Sequence, residues 1–278
     1  MKNIFEIIKH STIRFLDHSP KRTIFNEPNN ALASFAIDDA IATTVGNKLV
    51  APTIRTWVHD RTIVLGIPDS RLPCIEDGVR YLRSLHYNVI IRNSGGLAVL
   101  IDKDVLNISL ILPSNKQISI HEGYHIMFQL VTYLFKEYTN EIKAYEIKGS
   151  YCPGDYDLSI NGIKFAGISQ RRVRNGVAVQ IYIDVEGSSF ERASIVKKFY
   201  EVSKQEKKTK YEYPEVNPNV MGSISELLQI DFTVKGLIEK IQHQLETGDH
   251  PASELIPEEK EIFKKRLEQM HKRNDKIL

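Results

Sequence analysis

The sequence has few cysteines, a nearly balanced charge and only short apolar runs, and each of these features excludes a class of protein. Only two of its 278 residues are cysteines, Cys74 and Cys152, which is too few for a disulfide framework. Thirty-seven basic residues face 35 acidic ones, so no excess of positive charge points to nucleic acid. No apolar run reaches the roughly 18 residues that a membrane helix needs, and the N-terminal stretch lacks the apolar segment of a secretory signal. We therefore expect a cytoplasmic protein with reduced thiols, and neither a nucleic acid nor a membrane as its partner.

The residues that are present indicate a globular protein with a substantial core. Hydrophobic residues make up 42% of the chain and charged residues 26%, as is usual for such proteins. Strand-like runs and helical segments alternate up to about Ser188, and the chain beyond it is predicted to be helical. The predicted fold class is α+β, with a mostly antiparallel or mixed sheet flanked by helices and a helical C-terminal part. We expect one domain over residues 1–278, with a core at about 35–228 and a helical extension at about 229–278.

Individual elements can be predicted from periodicity, capping and turn signals. The polar connector Lys204–Pro218 is the only plausible internal boundary, and the charged helix Pro257–Asn274 is expected to present a solvated face. Strands are predicted at 62–67, from residue 88, at 97–101 and at 106–112, and helices at 34–45, 76–85, from residue 119, at 191–202, 223–230 and 234–245.

The segment from Tyr156 to Val185 carries the clearest local signals. Asn161-Gly162 and Asn175-Gly176 are both typical of two-residue hairpin turns, which require positive φ at both positions. The two turns divide the segment into three antiparallel strands. The third strand alternates apolar and other residues over 177–185, which is the pattern of a half-buried strand.

The first hairpin determines which residues face one another. With a two-residue loop, Ser159 is expected opposite Lys164, and Leu158 opposite Phe165. Asp157 then lies diagonal to Lys164, within reach of its long side chain.

Cys152 lies in a Cys-Pro-Gly sequence just ahead of this hairpin. In regular pairing it would lie some four residue pairs from Lys164, so the Pro153-Gly154 break has to fold back if the two are to meet. A free thiol has a pKa of about 8.5, and a neighbouring ammonium group lowers it, giving a nucleophilic thiolate. Alternatively, Cys152 is a small buried hydrophobic residue and Lys164 pairs with Asp157. The residues alone leave both interpretations open.

Two motifs resemble the signature of the family of lipoate-protein ligases, octanoyltransferases and biotin ligases. They are RNSGGLAVL (92–100) and INGIKFAGISQRR (160–172), and the resemblance extends from about residue 35 to 228. It implies the fold of that family, with Lys164 near the acyl carbonyl. It also implies a set of substrate-binding residues, namely Arg92, Ser94, Gly95, Gly96, Gly167 and Ser169.

Departures from the family pattern indicate a branch that does not use ATP. The ATP-dependent ligases carry a third glycine and a His-Asp pair, where this chain has Leu97 and Leu100-Ile101. They also lack a nucleophilic cysteine, whereas Cys152 precedes the lysine hairpin here. This arrangement is similar to the cysteine-dependent transferases of Gram-positive bacteria, above all those that move an octanoyl group from the H protein of glycine cleavage.

The resemblance implies a mechanism and partners. Cys152 would act as the nucleophile and carry the acyl group as a thioester, with Lys164 assisting the thiol. The donor would be the octanoylated H protein, and the acceptors would be lipoyl domains of 2-oxo-acid dehydrogenase complexes. Neither ATP nor a metal is expected to be needed. The alternatives are a transferase that uses octanoyl-acyl-carrier protein, an ATP-dependent ligase, or an acyl-binding module without activity.

The stretch His121–His125 reads HEGYH, which matches the H-E-x-x-H pattern of zinc peptidases. Two histidines four residues apart share a helix face, and Glu141 or Glu146 could be a third ligand. However, Ser119 and Glu122 also have the spacing of a capping box, in which Glu122 has a structural role. We favour the cap and expect no metal site.

Overall fold

A seven-stranded sheet is the centre of the protein in the computed structural model. The structure describes residues 13–19, 30–114, 118–205, 207–244 and 254–275, so most of the N-terminal stretch on which the signal-peptide prediction depends lies outside it. The strand order is β1-β2-β6-β10-β9-β8-β7. Only the β1–β2 pair is parallel among these strands. The strands are β1 (Arg14–His18), β2 (Thr53–Trp57), β6 (Val105–Pro113), β7 (Lys143–Ala144), β8 (Leu158–Ile160), β9 (Ile163–Val173) and β10 (Gly176–Asp184).

A second, three-stranded sheet has the order β4-β3-β5. Its strands are β3 (Thr62–Leu65), β4 (Asn88–Ile91) and β5 (Val99–Ile101). Strand β4 runs parallel to β3, and β5 runs antiparallel to it. The connection from β4 to β5 contains the RNSGG sequence, so this small sheet holds both ends of the glycine-rich loop.

Seven α-helices surround the two sheets in the described residues, and the observed α+β architecture confirms the predicted fold class. None of them is both long and apolar enough to cross a membrane. The helices are α1 (Ala31–Gly46), α2 (Ile75–Ser84), α3 (Ile120–Phe135), α4 (Ser189–Lys204), α5 (Ile224–Leu228), α6 (Val234–Gln244) and α7 (Pro257–Asn274).

Strand β10 separates two apolar clusters, because successive side chains of a strand point to opposite faces. Ala178 and Tyr182 face the cluster that contains α1, α4 and the small sheet. Val177, Val179 and Ile181 face the cluster that contains α3 and α6. Most of the apolar residues beside the candidate site belong to the first of these two clusters.

The predicted hairpins are largely confirmed, with two shifts. Asn161 and Gly162 both have positive φ, +51° and +79°, as expected. In the second hairpin, Arg174 has the positive φ of +55°, and Gly176 is already paired with Val173. The prediction of an Asn-Gly turn was therefore wrong by one residue. Gly176 is needed for another reason, because a Cβ there would lie 1.8 Å from the carbonyl oxygen of Ala42 in α1.

The pairing of β8 with β9 follows the predicted register at one end only. Ser159 lies opposite Lys164 as expected, but Leu158 pairs with Ala166 and not with Phe165. The register of the pair shifts between Leu158 and Ser159.

Strands β1, β2 and β7 were not predicted from the sequence. In β2 the reason is Arg55, which is fully buried and interrupts the apolar pattern. Its guanidinium forms an ion pair of 2.8 Å with the buried carboxylate of Asp38 in α1. A buried charge is tolerated when it is paired and hydrogen-bonded.

The C-terminal helix α7 has the predicted bounds but is not only a solvated element. Its exposed face carries the expected charged residues, whereas one face packs into the core that includes α1. Phe263 and Met270 are buried on that face. Glu259 is fully buried and forms an ion pair of 2.6 Å with Arg14 of β1. The proposed domain limits remain a prediction.

Candidate active site

Cys152 lies in the loop between β7 and β8, in a backbone conformation that is unusual for a residue with a side chain. Its φ is +46°, in the left-handed region. Its sulfur accepts hydrogen bonds from the backbone N–H of Leu97, at 3.2 Å, and from Nη2 of Arg92, at 3.5 Å. One main-chain dipole and one cation thus point at the same sulfur atom, an arrangement that stabilises negative charge on it.

The glycine-rich loop comes close enough to the sulfur that only glycine fits at its centre. Gly96 has a φ of +105°. A Cβ at this position would lie 2.2 Å from Nη2 of Arg92 and 2.9 Å from the sulfur of Cys152. Gly66 also permits this approach, since a Cβ at Gly66 would lie 1.9 Å from the carbonyl oxygen of Gly96. At Gly95, by contrast, nothing lies within 4 Å of the position that a Cβ would take.

Lys164 reaches the Cys152 loop, but its ammonium group contacts main-chain oxygens and not the sulfur. The residue is fully buried in β9. Its Nζ lies 2.8 Å from Oδ1 of Asp157, and it donates to the carbonyl oxygens of Tyr151 and Cys152, at 2.9 and 3.0 Å, and to Oγ of Ser150, at 3.1 Å. The loop does fold back, as the meeting of the two residues requires. Within the described residues, however, the cation in contact with the sulfur is Arg92.

The structure therefore brings the Cys152 loop and Lys164 together, but through a contact other than the predicted one. Pairing of Lys164 with Asp157, one of the two interpretations left open, is confirmed. Cys152 is nevertheless partly exposed and not a sealed core residue. Sixty residues separate Arg92 from Cys152, and no local spacing signals that their side chains meet.

A small cavity that is partly open to solvent lies beside the sulfur. Its walls come from both sheets and from α1. Seven of its lining residues are apolar, which suits a hydrocarbon chain. These are Phe35, Trp57, Val64, Val99, Ile101, Ile168 and Ile181, and the remaining lining residues are Arg92, Asn107, Cys152, Gly167, Ser169, Gln180 and Tyr182.

Two of the predicted binding residues lie in the wall that β9 contributes. Gly167 is paired with Tyr182, and a Cβ there would lie 2.7 Å from the Tyr182 ring. The glycine therefore makes room for an aromatic ring at a position that also lines the cavity. Ser169 donates to Oε1 of Gln180 at 3.4 Å, and Gln180 in turn donates to the buried Asp38 at 2.6 Å.

Ser94 is buried, and its hydroxyl has no hydrogen-bond partner among the described residues. Of the eight predicted site residues, the structure brings Arg92, Cys152, Gly167 and Ser169 to one cavity. A Cβ at Gly96 would lie 2.9 Å from the sulfur, and Lys164 binds the carbonyl oxygen of Cys152.

A buried carboxyl and a tyrosine hold the far end of the glycine-rich loop. The hydroxyl of Tyr200 accepts from the N–H of Ala98 at 3.1 Å and donates to Oδ1 of Asp69 at 3.0 Å. Oδ2 of Asp69 accepts from the N–H of Gly66 at 2.7 Å. Burial raises the pKa of Asp69 to about 6. Sequence reasoning missed both residues, because neither lies in a recognisable motif.

The HEGYH sequence forms the first turn of α3, and the capping box predicted there is confirmed. Glu122 donates its N–H to Ser119 Oγ and accepts from the Ser119 N–H. The glycine of the motif packs against the side-chain amide of Gln170 in β9, which lies 2.8 Å from the position of its Cβ. Across the described part of the chain, no three His, Cys, Asp or Glu side chains are grouped so as to hold a metal ion. The zinc-peptidase interpretation therefore has no ligand set in these residues.

The second cysteine has different surroundings. Cys74 precedes the first residue of α2, and its sulfur accepts a hydrogen bond from Nζ of Lys207 at 3.1 Å. It does not line the cavity, so it serves as an internal control for the chemistry of Cys152.

Comparison with known proteins supports the family assignment. Residues 30–246 match the model of the lipoyl protein ligase A/B catalytic domain. The chain is 53% identical to an octanoyl-[GcvH]:protein N-octanoyltransferase of Oceanobacillus iheyensis, over 99% of both chains. It is 44% identical to a lipoyl-[GcvH]:protein N-lipoyltransferase of Listeria monocytogenes, over 98% of both.

Solved structures show the same fold at much lower sequence identity. A lipoate-protein ligase A bound with ATP superimposes with a TM-score of 0.67 at 14% identity, covering 92% of this chain and 94% of the other. A putative lipoate-protein ligase from T. acidophilum with bound lipoic acid gives 0.65 at 16% identity, covering 92% and 95%. The resemblance inferred from the two sequence motifs is confirmed.

Proposed function

The chain belongs to the lipoyl protein ligase A/B catalytic domain family, and we propose that it is an acyltransferase that moves an octanoyl group between lysine side chains of proteins. The donor is the octanoylated H protein of glycine cleavage, and the acceptors are lipoyl domains of 2-oxo-acid dehydrogenase complexes. The acyl group is carried as a thioester on Cys152. The observation that supports this most strongly is the position of the Cys152 sulfur, which lies between two N–H donors beside an apolar cavity.

The reaction consists of two acyl transfers that balance. In the first, the thiolate of Cys152 attacks the carbonyl carbon of the octanoyl-lysine amide and a C–S bond forms. The C–N bond then breaks as the leaving nitrogen takes a proton from solvent, and the donor lysine departs as an amine. In the second, the neutral amine of the acceptor lysine attacks the thioester, its nitrogen releases a proton to solvent, and the C–S bond breaks to regenerate the thiolate. One amide is exchanged for another, so the transfer itself consumes no ATP.

Arg92 and the N–H of Leu97 stabilise negative charge at the reacting centre. In the resting state both donate to the sulfur of Cys152. Once the sulfur is acylated, the carbonyl oxygen of the thioester lies next to these same donors. Donors that are already oriented toward developing charge lower the barrier of acyl transfer.

Lys164 has a different part, which is to hold the nucleophile loop in place. Its ammonium group binds two consecutive carbonyl groups, one of them that of Cys152 itself. A residue in the left-handed region at such a site costs of order 1–3 kcal/mol, so the surrounding structure has to maintain it. Asp157 balances the buried charge of the lysine.

The test is to incubate the purified protein with octanoylated H protein and to measure its intact mass. An octanoyl adduct that hydroxylamine removes is expected on the wild type and on Cys74→Ala, and not on Cys152→Ala. Octanoyl-acyl-carrier protein and octanoate with ATP are offered as donors in parallel, and both are expected to give less adduct. An equal adduct on Cys152→Ala would contradict the proposal, and a stronger adduct from either other donor would contradict the choice of the H protein.

A further inference from the structure

The C-terminal helix α7 makes a contact with the active-site segment that the proposed reaction does not use. Asn274, its last residue, is only 6% exposed. Its Oδ1 accepts from the N–H of Ile91 at 2.7 Å, and its Nδ2 donates to the carbonyl oxygen of Ile91 at 3.1 Å. Nδ2 also donates to the carbonyl oxygen of Met270, which fixes the amide to its own helix. One side chain thus binds both main-chain polar groups of a single residue in β4.

Strand β4 needs such a partner because it lies at the edge of its sheet. On the inner side it pairs with β3, where Leu65 lies beside Ile91 and its carbonyl oxygen accepts from the N–H of Arg92. On the outer side, the N–H and C=O of Ile91 are fully buried, and buried main-chain groups require hydrogen-bond partners. Asn274 supplies them in place of a further strand. The direction in which the chain leaves β4 is therefore set from both sides.

The residue that follows is the one that contacts the nucleophile. Arg92 comes directly after Ile91, and its Nη2 lies 3.5 Å from the sulfur of Cys152. Helix α7 also reaches Asn93, the residue after Arg92, through one intermediate side chain. Arg266 of α7 lies 3.9 Å from the carboxylate of Asp39, and that carboxylate accepts from Nδ2 of Asn93 at 3.1 Å.

We propose that Asn274 is a positioning residue for acyl transfer, which holds Arg92 beside the Cys152 sulfur by binding the main chain of Ile91. This inference rests on the proposed function in so far as its main readout is acylation of Cys152. It assigns to the last turn of α7 a part in the reaction, although that turn does not line the cavity.

The test compares Asn274→Ala with the wild type in single-turnover acylation by octanoylated H protein. A small displacement of a positioned group can lower the rate as much as a hundredfold, so we expect the rate constant at saturating donor to fall by about ten- to a hundredfold. The donor concentration at half saturation is expected to stay within about twofold, because the cavity is intact. Asn274→Asp retains the acceptor for the N–H of Ile91 but loses the donor, and an intermediate rate is expected.

Two variants on the same helix separate positioning from stability. Arg273→Ala alters an exposed side chain in the same turn and is expected to acylate like the wild type. Leu267→Ala removes a buried side chain that packs in the core, so it is expected to lower Tm at least as much as Asn274→Ala and still acylate at nearly the wild-type rate. If Leu267→Ala slows acylation as much as Asn274→Ala does, or if Asn274→Ala is as fast as the wild type, the inference is wrong.

A second readout does not depend on acyl transfer. Alkylation of Cys152 by iodoacetamide at pH 7, followed by mass spectrometry, reports on the surroundings of the sulfur alone. Asn274→Ala is expected to react at least threefold more slowly than the wild type. Equal alkylation rates in the two proteins would overturn this inference. A wild type that forms no acyl adduct would instead count against the proposed function, and the alkylation rates would still test the position of Arg92.

Discussion

Replacing Arg92 tests which cation acts on the nucleophile. Nη2 of Arg92 lies 3.5 Å from the sulfur of Cys152, whereas Nζ of Lys164 contacts the carbonyl oxygen of the same residue. Two unit charges about 4 Å apart attract each other by about 4 kcal/mol at an effective dielectric constant of about 20, and by about 1 kcal/mol in bulk water. Because the sulfur faces a partly open cavity, we expect Arg92→Gln to lose an amount between these two values. At about 1.4 kcal/mol per factor of ten, acylation slows by roughly five- to a thousandfold.

Lys164→Met is expected to act mainly on folding. It leaves the carboxylate of Asp157, which is 2% exposed, without its cation. Removing one partner of a buried ion pair costs about 3–5 kcal/mol, which corresponds to a fall in Tm of about 10 °C for a chain of this size. The double variant Lys164→Met with Asp157→Asn removes the unpaired charge and is expected to recover part of that loss.

The assay combines rapid mixing and intact-mass detection of the acyl-enzyme with thermal unfolding of each variant. Arg92→Lys, which keeps the charge, is the matched control for Arg92→Gln and is expected to retain more activity. The reasoning is refuted if Arg92→Gln acylates at the wild-type rate. It is also refuted if Lys164→Met keeps the wild-type Tm, since the buried ion pair with Asp157 would then not stabilise the fold.

Three further predictions follow from the site and its surroundings. Gly96→Ala places a Cβ 2.9 Å from the sulfur of Cys152 at a φ of +105° and is expected to abolish acylation, whereas Gly95→Ala, with open space around it, stays near the wild-type rate; equal rates in single-turnover assays would contradict this. Burial raises the pKa of Asp184 to about 6 from an ordinary value of 3.8, so the folded state binds the proton more tightly and stability rises as pH falls through that window. Relative to Asp184→Asn, the free energy of unfolding of the wild type in urea is expected to rise by about 2 kcal/mol between pH 7.5 and pH 4, and a pH-independent difference would argue against the shift. Dialysis against a chelator is expected to leave acyl transfer unchanged, and a stoichiometric metal with activity lost on its removal would contradict the assignment of HEGYH as a helix cap.

Local features of the fold could be predicted because they depend on a few neighbouring residues. The capping box at Ser119 and the hairpin at Asn161 each follow from residues within one turn. Features that involve a contact with a distant element were predicted less accurately. The second turn lies one residue earlier than predicted, and Gly176 is instead packed against α1. Strand β2 was not predicted, because its central arginine is buried against a partner on α1.

The candidate site could be predicted in its composition but not in its contacts. Family resemblance and local chemistry pointed to Cys152, Lys164 and the glycine-rich loop. The contact of Arg92 with the sulfur, however, joins residues that are 60 positions apart in the sequence. The contact of Asn274 with Ile91 joins residues that are 183 positions apart. Neither distance leaves a periodic signal in the sequence. A long-range contact of this kind is specified only when the whole core has formed.

The most direct test of the account is whether the Cys152 thioester forms and decays fast enough to be on the reaction path. In a rapid-quench experiment with octanoylated H protein, the acyl-enzyme is expected to appear with a rate constant at least as large as kcat, and to disappear at a similar or greater rate when an acceptor lipoyl domain is added. An acyl-enzyme that forms more slowly than turnover, or that persists when the acceptor is acylated, would contradict transfer through Cys152.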